Sequence, residues 1–273
     1  MRFVAYDGGF GVRREGGVAP VPGYADLPAL IADGERGLDA ARSAAESGEV
    51  VQPERLLAPL RPPKVLCAGV NYRSHLDENP DAVLPSEPFF FSKLPTAVIG
   101  PGEPIVIPRE QTQTDYEVEL AMVIGRPAKR LDAGSALDAV FGWTVLDDVS
   151  ARNVQFKENQ ITLGKGPDTF CPLGPEVVTA DELGDWESLH VSTTLNGETM
   201  QSSPAADMLF APPVLLESLT ALVTLEPGDV VSTGTPAGVG CFRHPPVYLQ
   251  PGDEVTVSVD RIGDLTNPVV AGW

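Results

Sequence analysis

One stretch, Thr114 to Gly125, constrains the fold more than any other: Thr-Asp-Tyr-Glu-Val-Glu-Leu-Ala-Met-Val-Ile-Gly. Tyr116, Val118, Leu120, Met122 and Ile124 alternate with Glu117, Glu119, Ala121 and Val123, which is the two-residue period of a β-strand. Glu117 and Glu119 therefore share a face, one pleat apart, and the residues after them on that face are small or apolar. An unpaired buried charge is expensive. Two adjacent carboxylates on such a face need a cation between them, a metal or an Arg or Lys, unless the strand is a wet edge. On this stretch alone the two alternatives are even.

The rest of the chain bounds the answer. Its 273 residues can bury a full-sized core, as one large domain or a large one with a small one. A net charge of −19 excludes nucleic acid and anionic membranes as partners. An anionic substrate would need a local island of cations or a metal. Cys67, Cys171 and Cys241 show no ligand spacing and suggest a reducing compartment. With no apolar leader at the N-terminus and no run long enough to span a bilayer, the expected localisation is cytoplasmic.

In chain order, residues 2–18 read as short strands broken at Gly8-Gly9 and Gly16-Gly17, and Asp26 to Ser47 as helix interrupted at Gly34 and Gly37. Arg61-Pro62-Pro63-Lys64 marks a boundary near residue 60, giving a small N-terminal α+β domain, 1–60, and a main domain, 61–273. Val65 to Val70 reads as a buried strand. After it, Ser74 could cap a short helix ending before Pro80, which would place His75 and Glu78 at i and i+3. A carboxylate beside an imidazole suits a general base acting on water. Taken alone, a surface histidine near an incidental acid is the simpler reading. Leu189 to Leu195 followed by Asn196-Gly197 signals a hairpin, Met208 to Leu225 has helical spacing, and the remainder is β-rich.

Lys93 follows three phenylalanines in a chain with five lysines against fourteen arginines, so a lysine there suggests a chosen compact charge. A second strand, Val140 to Val149, ends in Asp147-Asp148, of which the strand period sends at most one toward Glu117 and Glu119. Three carboxylates from two strand ends are an oxygen-rich set suited to Mg²⁺, Mn²⁺ or Ca²⁺, and they decide for the cation. Ser150 to Gln155 reads as a first helical turn carrying Arg152 and Gln155 on one side, suited to a substrate carboxylate and carbonyl. Gly164-Lys165-Gly166 presents a sparse lysine on a loop, and Gly234 to Gly240 offers backbone N–H groups and the Thr235 hydroxyl to a carboxylate. That glycine loop lacks the Lys-Ser/Thr ending of a phosphate-binding loop, and no Gly-x-Ser-x-Gly elbow occurs.

Together Gly69-Val70-Asn71-Tyr72-Arg73-Ser74-His75, Asp115-Tyr116-Glu117-Val118-Glu119-Leu120, Asp148-Val149-Ser150-Ala151-Arg152-Asn153-Val154-Gln155, Gly164-Lys165, Pro172-Leu173-Gly174-Pro175, Asn196-Gly197-Glu198, Gly228-Asp229 and Gly234 to Gly240 resemble the fumarylacetoacetate hydrolase family. The resemblance covers roughly residues 62–270. It implies a mainly β (α+β) fold, a mixed β-sandwich roll that is usually a homodimer. It also implies Mg²⁺ or Mn²⁺ on Glu117, Glu119 and Asp148, a His75–Glu78 pair for water activation and a catalytic Lys165. Tyr72, Lys93, Arg152, Gln155 and Thr235 become substrate-side positions. Asn153 departs from the Asp often found there, and Phe156 to Leu163 lacks the usual Trp.

The implied activity is a metal-dependent hydrolase that cleaves a C–C bond in an acylpyruvate or related diketo acid through a metal-bound enolate. The alternative is a decarboxylase or isomerase of a 2-oxo acid, which uses the same enolate site without attacking water. A non-catalytic binder on the same scaffold need keep neither His75–Glu78 nor the three carboxylates.

Overall fold

A computed structural model describes residues 1–47, 49–78, 83–109, 111–157 and 160–272. Pro80 lies outside them. The first 60 residues give β1 (Arg2–Tyr6), β2 (Gly9–Arg14), β3 (Gly17–Pro20), helices α1 (Leu27–Ala32) and α2 (Glu35–Ser47), and β4 (Leu56–Leu57). Then come β5 (Val65–Ala68), α3 (Arg73–Asp77), β6 (Phe90–Lys93), β7 (Val98–Ile99), β8 (Ile105–Ile107), β9 (Thr114–Asp115) and β10 (Val118–Ile124). Next are β11 (Val140–Asp147), β12 (Ser150–Ala151), α4 (Arg152–Gln155), α5 (Thr162–Lys165), β13 (Cys171–Thr179) and α6 (Ala180–Leu183). The chain closes with β14 (His190–Leu195), β15 (Glu198–Pro204), α7 (Pro212–Leu222), β16 (Val230–Ser232), β17 (Glu254–Val259) and β18 (Gly263–Ala271).

These strands build the expected mixed sandwich. One sheet runs β3-β2-β1-β13-β11-β10-β16-β5-β6, with β4 on β1 and β7 on β13; a second runs β15-β14-β17-β18-β8, and β9 and β12 form a separate two-stranded ladder. β5 and β16 pair in parallel, whereas β10 is antiparallel to both of its neighbours. Between the sheets, Leu120, Met122, Trp143 and Val145 pack in one core with Val191, Val257 and Leu265. On the other face of the large sheet, Ala121, Val123 and Leu146 share a core with Phe3, Leu27 and Leu30. Buried on both faces, β10 needs apolar side chains at every later position, not only alternate ones. Its central place removes the wet-edge alternative for Glu117 and Glu119.

Several local expectations change. Ser74 does not cap α3; the carboxylate of Asp207 does, accepting from Ser74 N at 3.0 Å and Ser74 Oγ at 2.6 Å. Ser150 and Ala151 are not helical but pair with Thr114 and Asp115, so the helix begins at Arg152. Lys165 ends a short helix instead of riding a loop, because Gly164 lets α5 approach so close that a Cβ there would stand 2.7 Å from Gln155. α7 starts at Pro212, later than the spacing from Met208 suggested, since Pro at the first turn fixes the start. The Asn196-Gly197 hairpin forms as expected, both residues taking the positive φ that its tight turn requires.

The first 60 residues share a sheet and a core with the rest. We expect Leu30→Ala to cost about 2–5 kcal/mol and the variant still to unfold in a single urea transition. Two separate transitions would show that residues 1–60 hold a core of their own.

Candidate active site

Glu119 leaves the middle of the large sheet from β10, Glu117 stands just before it, and Asp148 follows the end of β11. Ligand oxygens of the three lie within 4.8 Å of one another, all buried. Of the two acids only Asp148 joins the glutamates. Asp147 turns the other way, where Oδ1 accepts the Glu117 N–H at 2.9 Å, and burial pushes its carboxyl up to about 7.

Cations crowd the triad. Lys165 Nζ bridges Glu117 Oε2 at 2.8 Å and Asp148 Oδ2 at 2.6 Å, and lies 5.1 Å from the centre of the Phe91 ring. Lys93 Nζ, fully buried, donates to Asp148 Oδ1 at 2.5 Å and to the Val149 carbonyl at 2.9 Å. Arg152 Nη2 meets Glu117 Oε1 at 2.6 Å and Asp115 Oδ2 at 2.9 Å, while Nη1 donates to Gln155 at 3.0 Å. Burial would raise the Glu117 carboxyl, but Lys165 and Arg152 overcome it and hold it well below the usual range. Burial would likewise strip Lys165 of its proton, yet Asp148 and Glu117 hold its pKa above the ordinary lysine value. Lys165 thus sets a positive charge beside the triad.

Glu119 differs. Among the described residues it has no ion-pair partner, only the Ser232 hydroxyl and the Gly234 N–H. Burial, then the charges of Asp148 and Glu117, push its carboxyl well above the usual range. Fully ionised, the four carboxylates on this side, counting Asp115, would face three buried cations, Lys93, Arg152 and Lys165, with one negative charge in excess, in keeping with the raised carboxyl of Glu119. An all-oxygen donor set with that excess fits a hard divalent cation held by Glu117, Glu119 and Asp148.

A cavity of about 70 Å³ opens onto these groups, walled by His75, Glu117, Glu119, Arg152, Gln155, Lys165 and Thr235 and by Phe89, Phe91 and Ile161. His75 Nδ1 lies 2.7 Å from Glu78 Oε2, the i, i+3 contact expected, and Glu78 Oε1 accepts the Gly238 N–H at 2.8 Å. The tip of the Phe89 ring comes so close to Gly69 that a Cβ there would stand 1.8 Å from it, so a larger residue would push the ring out of the wall. Tyr72 and Lys93 stand outside this wall: Tyr72 is buried in the inter-sheet core and Lys93 sits behind Asp148.

The glycine loop spends its N–H groups on the protein itself: Gly234 on Glu119, Gly238 on Glu78, Gly240 and Cys241 on Asp115. Thr235 donates to the Val118 carbonyl and accepts from Gln201 Nε2. The loop is a scaffold for the carboxylates around the cavity, a role its sequence does not reveal, nor does it reveal those of Asp115, Gln201 and Asp207. Each partner lies far along the chain, so no local spacing could have found them.

A family model described as fumarylacetoacetate (FAA) hydrolase C-terminal matches residues 64–270. The mitochondrial oxaloacetate tautomerase fahd2 of Xenopus laevis is 44% identical, over 87% of this chain and 76% of its own. The oxaloacetate tautomerase YisK of Bacillus subtilis is 39% identical, over 91% and 87%. Among solved structures, a 5-carboxymethyl-2-hydroxymuconate delta-isomerase from Mycobacterium smegmatis is 43% identical, with a TM-score of 0.72 over 80% of this chain and 83% of that one. The cytoplasmic expectation is corrected by these matches, since the Xenopus relative is mitochondrial by name. Unpaired cysteines do not distinguish one reducing compartment from another.

Two outcomes test the cation site by titration calorimetry. Glu119→Gln should remove most Mg²⁺ affinity while the protein stays folded, because a charged oxygen ligand becomes neutral at nearly the same volume. Lys165→Met should instead tighten Mg²⁺ binding, because its ammonium holds two of the same oxygens. Parental affinity in both would remove the ion from this triad.

Proposed function

The chain belongs to the fumarylacetoacetate hydrolase family, and from that premise we propose an enzyme that shifts a proton beside the carbonyl of a small 2-oxo diacid, oxaloacetate or a close analogue. The observation that supports it is the convergence of His75, Lys165, Arg152 and the acid triad on one small cavity. Mg²⁺ or Mn²⁺ held by Glu117, Glu119 and Asp148 would supply Lewis-acid chemistry there. Arg152 and Gln155 hold the substrate carboxylate. Glu78 keeps the His75 proton on Nδ1 and leaves the Nε2 lone pair to accept a proton from the carbon next to the 2-oxo group. Negative charge then grows on the 2-oxo oxygen, beside the Lys165 ammonium, which is already oriented by Glu117 and Asp148. Return of the proton to oxygen or to carbon completes a keto–enol tautomerisation or an isomerisation.

The C–C hydrolysis expected from the resemblance now stands second, because the relatives compared are tautomerases and an isomerase by name. It would use the same His75 to activate water. We further propose residues 1–60 as an accessory domain folded onto the catalytic one, 61–273, which supplies every residue of the site. The homodimer is carried as a proposal too, supported by the exposed Phe156 and Leu163 near the cavity.

Enol–keto conversion of oxaloacetate, followed by ultraviolet absorbance with and without Mg²⁺, compared with acetylpyruvate hydrolysis, tests the order of these readings. Tautomerisation should be the faster; hydrolysis outrunning it would restore the hydrolase. His75→Ala should lower tautomerisation by ~10²–10⁴-fold with Mg²⁺ binding intact. A parental rate would take His75 out of the proton transfer.

A further inference from the structure

Asp115 lies outside the cavity wall, yet its carboxylate is fully buried and held from several sides. Oδ1 accepts the N–H of Tyr116 at 2.9 Å and of Gly240 at 2.7 Å. Oδ2 accepts the N–H of Cys241 at 3.0 Å and Nε of Arg152 at 2.9 Å, with Arg152 Nη2 also 2.9 Å away. Nε hydrogen-bonds Asp115 on one edge and Nη1 hydrogen-bonds Gln155 on the other, with Nη2 at ion-pair distance from Asp115 and Glu117, so the guanidinium is held at more than one point and its plane is set. With that plane set, Nη2 reaches Glu117 and Nη1 reaches Gln155. The opposite anchor is equally rigid. At Gly240 a Cβ would stand 1.8 Å from the Val247 carbonyl and 2.6 Å from Asp115 Oδ1, so the turn closes directly onto the carboxylate.

We infer that Asp115 is a positioning residue: it sets the plane of Arg152 and bonds it to the turn at 240–241, so that carboxylate recognition depends on a side chain that never touches substrate. The inference rests on the proposed role of Arg152 toward a substrate carboxylate. Asp115 forms no bond with the triad oxygens and acts on the ion only through Arg152. Its loss should therefore weaken substrate binding more than turnover.

The test uses the full chain loaded with Mg²⁺, and oxalate as a non-reacting dicarboxylate. Asp115→Asn keeps the size of the side chain but replaces one acceptor oxygen with a donor. Oxalate affinity measured by calorimetry should fall roughly ten- to a hundredfold. The oxaloacetate KM should rise by a similar factor and kcat should change little, with Mg²⁺ affinity and melting temperature near parental values. In an Arg152→Gln background, Asp115→Asn should cost little more, since the group it positions is gone. Arg152→Lys, which keeps the charge but loses the planar fork, should lose oxalate affinity as Asp115→Asn does; this second variant reports even where Asp115→Asn does not fold. Parental oxalate affinity in Asp115→Asn or Arg152→Lys, or full additivity with Arg152→Gln, overturns the inference alone. No oxalate binding by the parent protein overturns the proposed function, and the inference with it.

Discussion

Three like charges held within one buried pocket are the constraint on which the rest of this molecule turns. Glu117, Glu119 and Asp148 could not stay ionised in the middle of a sheet without compensation. The fold answers by burying Lys93, Arg152 and Lys165 against them from three different elements. Replacing such a cluster with apolar side chains of equal volume would in general be neutral or stabilising. Its presence is therefore a statement about chemistry. The partial mismatch leaves Glu119 without a cationic partner among the described residues, a donor set that fits a hard cation.

The central strand converts that electrostatic problem into a rigid geometry. β10 is bonded on both sides and buried on both faces, so Glu119 has almost no freedom to retreat. Around it the mobile parts of a typical site have been tied down. The glycine loop donates to Glu119, Glu78 and Asp115, each of which belongs to a different working part. A loop that reads as an open anion nest in sequence is thus already filled by the protein's own carboxylates. The groups left facing the cavity are instead side chains, Arg152, Gln155 and Lys165 among them.

Much of this was legible locally. The period of two put Glu117 and Glu119 on one face, and the i, i+3 spacing brought His75 to Glu78. The lysine count singled out Lys93 and Lys165, although Lys93 proved to be a counter-ion behind Asp148 and not part of the cavity wall. What stayed hidden depends on partners remote in the chain. Asp207 caps α3 across 133 residues, and Asp115 meets Gly240 across 125; no window of sequence contains both ends of either bond. The same limit explains Ser150 and Ala151. Their helical look gave way to a ladder with β9 that only the tertiary fold supplies.

The parallel pairing of β5 with β16 carries a consequence for how the chain reaches this state. It aligns Cys67 with Ser232, and Ser232 is the hydroxyl that meets Glu119. The pocket is complete only after a closure spanning most of the polypeptide, a high-contact-order event that local helix formation cannot hasten. Until that closure the acids stand apart in water and have no shared affinity for an ion. A divalent cation would therefore recognise the finished fold and leave the nascent chain alone, adding to equilibrium stability by mass action without guiding the search that precedes it.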